Sequence, residues 1–397
     1  MQPAAAAVRA VNHLTAQWAR QDERPGGTVF SAAGVWPLLA LLADGAGGAA
    51  RRELGEAVGL PAAEAAGAAR GLLAALGAMR GVDAALGLWT KKSLPLHEKW
   101  AAALPPGAHA RLSGDEDTDR AALDAWAAER TGGQIEALPV VLDDETELVL
   151  ASALALRTEW FRPFTEGVMC AGPGPWAARE LSSLMRTTSL LDRVGVADTP
   201  TGAVTVAKVL GNTGIDVHLL LGEPESAPAS VLATGIDVLA GRYTAVPADR
   251  LPYGAVGPGL TKSVVRALFP TPPRLHLTTS PFSLTADHDL LERDRLFGLA
   301  AARDRSHGHF PGVSPEPLAI RSARQSSTAT FGALGFRAAS VTALGAAGAG
   351  VPEFRYRAVE VDAVFDRPFG FLAVHRTSRL VLTAGWVAEP TPYRDED

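Results

Sequence analysis

Through the first third of the chain, apolar residues recur every three to four positions. From about residue 146 they give way to continuous apolar runs of strand length. The spacing of Val8, Val11, Leu14 and Trp18 predicts a helix over residues 3–21. Residues 34–44 and 48–58 are apolar helical runs split by the Gly45–Gly48 segment, residues 62–80 are alanine-rich and helix-prone, and residues 117–131 place Leu123, Trp126 and Ala127 on one side of a further helix. The run Glu147–Leu156 reads as a strand buried on both faces. Residues 203–210, 215–221, 273–279 and 357–364 are further strand candidates, and residues 366–388 read as a hairpin turning at His375 to Arg379. Gly172-Pro-Gly-Pro and Gly222–Ala229 read as surface turns. Helices first and antiparallel strands later predict an α+β fold.

Length and composition narrow this picture. A chain of 397 residues has room for two or three domains, but a large mixed α and β domain also reaches that size. With 47% hydrophobic residues it can bury a sizeable core, and a net charge of −6 argues against a general nucleic-acid binder. The single cysteine, Cys170, excludes an intramolecular disulfide framework and reads as an inert or partly buried thiol. The N-terminal alanine run is broken by Arg9, Asn12 and His13, unlike the apolar core of a signal peptide. No stretch has the length and uninterrupted hydrophobicity of a membrane span. The expectation is a soluble, monomeric protein, cytoplasmic by default, with export from an upstream start left open.

Local motifs give no enzyme. His97-Glu98 lacks the second histidine of a zinc-protease helix, and the nucleophile elbow and the phosphate loop are both absent. His307-Gly-His309 reads as a solvated loop among Arg303, Asp304 and Arg305 before it reads as a pair of metal ligands. No cofactor and no metal are expected.

At larger scale the sequence resembles the serpin family, of the bacterial type, from about residue 5 to residue 390. Four blocks carry the resemblance. They are Phe30-Ser31 with Asp44–Gly48 and Arg51–Leu54; Trp126 with Thr131–Ile135 and Leu138; Leu148–Ala153 with Trp160 and Phe164; and Phe365–Phe371 with Leu382, Gly385 and Pro390. The resemblance implies one serpin domain over residues 1–397. It has a five-stranded central mixed sheet, flanking helices, an exposed reactive-centre loop at about 335–354 and a C-terminal tail at 391–397. It also implies a suicide-substrate mechanism. A serine protease cuts the loop and is held as an acyl-enzyme, and the cut loop inserts into the sheet as an extra strand.

The resemblance assigns roles by position. Gly335 matches the hinge glycine, with Phe336 and Arg337 following it, and Ala338, Ala339, Ser340, Val341 and Thr342 match the small-residue hinge. The reactive bond falls at Ala349–Gly350, with Ala347 the alternative, which suits an elastase-like or subtilisin-like pocket. The region through which the sheet opens maps to Gly34, Ser152, Gln325 and Trp160. Two departures matter. Phe336 stands where the family has a small hydroxyl residue, so its burial favours insertion if a void receives it and opposes insertion if none does. Gly34 brings no side chain to a network that is usually of Ser, Asn and His, and Trp36 and Pro37 interrupt the helix start. Three readings follow. One is an inhibitor of serine proteases, not a catalyst. The second is a non-inhibitory serpin that acts as a binding or structural protein. The third is a serpin scaffold recruited as an enzyme or small-molecule binder.

Overall fold

The structure is a computed structural model and describes residues 3–22, 26–140, 142–143, 146–172, 174–304, 307–336 and 356–393. Its helices are α1 (Ala5–Gln21), α2 (Ala32–Gly45), α3 (Gly48–Val58), α4 (Ala62–Gly77), α5 (Glu98–Ala103), α6 (Glu116–Thr131), α7 (Pro228–Leu239) and α8 (Asp294–Phe297). The central sheet is ordered β3 (His109–Leu112), β2 (Val82–Lys91), β4 (Leu148–Leu156), β16 (Ser322–Phe331) and β15 (Phe282–Asp289). Two short strands, β17 (Gly335–Phe336) and β5 (Thr158–Glu159), complete it at one end. The sheet is mixed, because β4 runs antiparallel to β2 but parallel to β16.

A second sheet runs β1 (Thr28–Phe30), β20 (Leu380–Val387), β19 (Phe369–His375), β10 (Ile215–Gly222), β9 (Gly202–Leu210), β8 (Val194–Thr199) and β11 (Ala245–Pro247). The third runs β12 (Gly254–Gly257), β13 (Leu260–Ala267), β18 (Tyr356–Val364), β14 (Arg274–Thr279), β7 (Glu180–Thr188) and β6 (Thr165–Cys170). The α+β expectation therefore holds, as three sheets and their flanking helices joined in one domain.

Apolar periodicity placed the main elements well. Helix α1 buries Val8, Val11, Leu14 and Trp18 on one stripe. Helix α2 buries every residue from Ala32 to Ala43, as an all-apolar helix in a core should. All nine residues of β4 are buried. Its inward face joins the main core, while Val149, Ala151 and Ala153 pack outward under Leu123 and Ala127 of α6.

Three expectations are corrected. Pro37 does not interrupt the helix, since α2 runs through it and starts at Ala32 with Ser31 as N-cap. Only one i→i−4 hydrogen bond is lost at Pro37, and burial of the whole helix outweighs that cost. The turn read at 222–229 ends early, because α7 begins at Pro228, whose fixed φ suits a first helical position. The segment read as a tail from residue 391 is tied to β7: Thr391 accepts the amide of Ser182, and Pro392 bridges Leu181.

A candidate functional site in the central sheet

Strands β4 and β16 pair along only part of their length. Their register runs from Ser322 opposite Val149 to Gln325 opposite Ser152 and stops there. Beyond that point β4 stays paired with β2 up to Leu156, and β16 stays paired with β15 up to Phe331. Among the described residues, no strand pairs with Ser326–Thr330 of β16 on the side facing β4. The sheet is thus closed at one end and split at the other, leaving a slot flanked by two strand edges.

The closed end is held by Gln325. Its carbonyl oxygen accepts from the Ser31 amide at 2.8 Å, and its amide nitrogen donates to the Ser31 carbonyl at 2.8 Å and to Ser152 Oγ at 3.2 Å. Ser327 Oγ donates to the same Gln325 oxygen at 3.0 Å. Ser31 Oγ donates to the Leu382 carbonyl at 2.6 Å and accepts from the Gly34 amide at 3.1 Å. Nearby, His288 Nε2 lies 2.8 Å from the Val29 carbonyl. The knot joins β16 and the start of α2 firmly, and it reaches across the seam to β4 through the one hydrogen bond to Ser152.

Gly34 has a positive role here. A Cβ at this position would lie 3.3 Å from Gln325 Nε2 and 3.5 Å from Ser152 Oγ. The missing side chain makes room for the longer Gln325, so Gly34 and Gln325 work as a pair. Of the four residues expected in the sheet-opening region, the structure brings Gly34, Ser152 and Gln325 together and sets Trp160 at the open end, against Gly332 and Leu334; Ser31 and Ser327 were not among those expected. Both were legible in principle: Ser31 lies in the first resemblance block, and Ser327 sits two residues from Gln325, on the same strand face.

The open end is capped by the chain that leaves β16. After Phe331 the backbone turns, with the Gly332 amide donating to the Gly335 carbonyl at 3.0 Å. Trp160 braces the turn, since its indole donates to the Gly332 carbonyl at 2.9 Å and its amide to the Leu334 carbonyl at 2.9 Å. The Phe164 amide donates to the Ala333 carbonyl at 2.8 Å. Gly335 and Phe336 then run down between β16 and β5, Phe336 lying opposite Phe331 on one side and Thr158 on the other. A Cβ on Gly335 would run into the Thr158 carbonyl, so glycine is required by close approach.

Phe336 is only 2% exposed. Its ring lies 6.2 Å from Phe371, which packs 4.8 Å from Phe282, and Phe282 stacks on Phe331 at 5.4 Å. An aromatic layer between the central and second sheets therefore receives Phe336. Arg337, Ala338, Ala339, Ser340, Val341 and Thr342 of the hinge lie outside the described residues, as do Ala347, Ala349 and Gly350 of the reactive bond.

Elsewhere, Cys170 is exposed at the end of β6, not partly buried. Asp304 Oδ2 lies 3.2 Å from His307 Nδ1 and 3.6 Å from His309 Nε2, so the three residues gather as ligands of one ion could.

The central mixed sheet is thus zipped along part of the β4–β16 seam, with the two-residue strand β17 set at its open end. Residues 7–169 match the sequence model of the family described as serpin, serine protease inhibitor. The whole fold resembles human thyroxine-binding globulin complexed with thyroxine, at 16% identity and a TM-score of 0.72 over 98% of each chain. It also resembles the thermophilic serpin tengpin in its native state, at 13% identity and a TM-score of 0.73 over 96% of this chain and 94% of that one. Serpin48 of the insect Tenebrio molitor is similar as well, at 17% identity and a TM-score of 0.70 over 96% and 97%. No curated protein sequence matches. The family model thus covers the first part of the chain, and the likeness of fold to these serpins extends over nearly all of it.

Proposed function

We propose that this chain inhibits serine proteases that have a small specificity pocket, and that each molecule is spent in a single encounter. The observation that carries the reading is the slot between β4 and β16, with Gly335–Phe336 already seated at its mouth. The protease serine oxygen bonds to the carbonyl carbon of Ala349 (or Ala347, two residues earlier) as the following peptide C–N bond breaks. The new amine takes the proton. The freed N-terminal strand then pairs with β16 on one side and β4 on the other, filling edges that are otherwise unpaired.

The energetics fit a strand poised to insert. Widening the slot separates a four-residue ladder and one side-chain hydrogen bond, Gln325 to Ser152. Such a bond contributes about 1 kcal/mol. Burial of Phe336 contributes about 2–3 kcal/mol, but to the uncut and the cut protein alike, so it positions the strand without driving its insertion. The drive comes from two new ladders of backbone hydrogen bonds and from the small side chains that follow Phe336. Incubation with elastase-like and subtilisin-like proteases, followed by a denaturing gel, should show a covalent complex. Clean cleavage with no complex across the panel would sink the proposal.

A second reading, a non-inhibitory serpin that binds a ligand or partner, draws on Phe336 itself. A bulky residue buried before any cut can serve as an anchor that keeps the loop where it is. The fold's likeness to thyroxine-binding globulin is compatible with such a role. Melting after loop cleavage separates the two: a rise of about 10 °C or more marks insertion, and an unchanged melting temperature favours the anchor.

A further inference from the structure

Between the short 3-10 turn Ala301–Arg303 and β16, the chain brings Asp304, His307 and His309 together. Their ligating atoms all lie within 4.8 Å of one another. One carboxylate oxygen, Asp304 Oδ2, faces both rings, at 3.2 Å from His307 Nδ1 and 3.6 Å from His309 Nε2. Bonds of about 2.0–2.2 Å to nitrogen and oxygen place the ligand atoms of a tetrahedral zinc ion roughly 3.3–3.6 Å apart. Both measured separations lie close to that edge. His307 is 75% exposed, so its ring can turn toward His309 without displacing core atoms.

Two features set the cluster apart from an ordinary solvated loop. The first is His309. Its side chain is only 14% exposed, and Nε2 is buried with no hydrogen-bond partner, the Asp304 oxygen lying beyond hydrogen-bond reach. An unpaired buried polar atom is costly, and a cation bound there would satisfy it. The second is that both ends of the cluster are already tied to α3. The Asp304 amide donates to the Ala301 carbonyl at 3.1 Å, and the Ala301 amide donates to Glu53 Oε2 at 2.8 Å. The His309 carbonyl accepts from the Gly47 amide at 2.8 Å, just ahead of the same helix. Phe310 and Val313 are buried beyond it and fix the chain that carries His309.

We propose that Asp304, His307 and His309 bind a divalent transition-metal ion of the zinc class. Two imidazoles and one carboxylate suit such an ion, whereas magnesium and calcium take oxygen ligands. Three protein ligands on an exposed face leave a fourth position for water. The ion would clasp Asp304 to His309 over α3. The excursion that carries the site is closed by the Ile320 amide, which donates to the Ala302 carbonyl at 2.8 Å just ahead of β16. A bound ion would therefore brace the approach to the strand that holds the closed end of the seam. The site is independent of whether the chain inhibits a protease.

The test uses the full-length chain without an affinity tag, stripped of metal with a chelator and dialysed. Zinc chloride should bind with one-to-one stoichiometry in titration calorimetry and raise the melting temperature saturably. Magnesium chloride at matched ionic strength should do neither. His307→Gln, at a side chain exposed enough to leave the fold intact, and Asp304→Asn should each weaken zinc binding more than about tenfold, since losing even a supporting group around a metal costs that much. His13→Gln, at an exposed histidine on α1, and Cys170→Ser, at the exposed thiol, should leave zinc binding unchanged. The proposal is overturned if zinc binds no better than magnesium. It is equally overturned if His13→Gln or Cys170→Ser weakens zinc binding as much as His307→Gln, which would mean scattered surface ligands and not a site.

Discussion

The two ends of the β4–β16 seam solve opposite problems with the same pair of strands. At the closed end, polar side chains replace core packing, and one glutamine ties the strand, a helix start and the neighbouring strand together. At the open end, aromatic rings replace the polar knot, and a two-residue strand fills the gap that the long strands leave. Hydrogen bonds are directional and are lost when strands separate, so the knot resists parting but tolerates only one geometry. Aromatic packing is less demanding of direction, so the mouth of the slot can receive a large side chain without a matched partner.

Breaking the closed end should have the largest effect. Gln325→Ala strips partners from the Ser31 amide and carbonyl and from the Ser152 and Ser327 hydroxyls, all buried. Stability of the uncut protein should fall by about 3–5 kcal/mol, read from the denaturant midpoint at unchanged slope. A loss below about 1 kcal/mol would show that the knot is not a structural tie. At the open end, Phe336→Ala should cost about 2–3 kcal/mol, because the ring is buried before cleavage. A neutral result would place the ring in solvent in the uncut protein and remove the contrast between the two ends. Gly34→Ala should cost about 1–2 kcal/mol by crowding Gln325. Combined with Gln325→Ala it should cost less than the sum of the two, since the crowded group is then gone. Strict additivity would dissolve the proposed pairing of Gly34 with Gln325.

Much of this was readable from the residues. An unbroken apolar run such as Leu148–Leu156 has only one comfortable place, the middle of a covered sheet, and the hairpin Phe369–Val387 carries its own turn. Strand β2 escaped notice because its sequence, VDAALGLWTK, is poor in β-branched residues. It is a strand because β4 pairs along its whole length, and Gly87 stays bare so that Trp89 and Trp126 can approach. Hairpin β12–β13 was missed for a related reason: β13 alternates mildly, and β12 is mostly Gly and Ala. For the site, the resemblance named Gly34, Ser152 and Gln325, but a one-dimensional reading could not show that the absence of a side chain at Gly34 was the accommodation for Gln325. It also left the sign of the Phe336 effect open, because the answer depends on Phe371 and Phe282, which are distant in sequence.

That unnoticed hairpin bears on how long the uncut molecule lasts. Strand β18, which receives the chain after the loop, is an interior strand: β13 pairs with it over residues 260–267 on one side and β14 over residues 274–278 on the other. The loop therefore leaves from a two-residue strand at Phe336 and returns to an interior strand that starts at Tyr356. Under the proposed mechanism, drawing an uncut loop into the slot would require unzipping β18 from both neighbours, a barrier that would lengthen the lifetime of the uncut protein. The prolonged incubation that would reveal slow self-insertion, seen as a drift to a higher melting temperature without proteolysis, should show none until the temperature approaches that at which the third sheet melts.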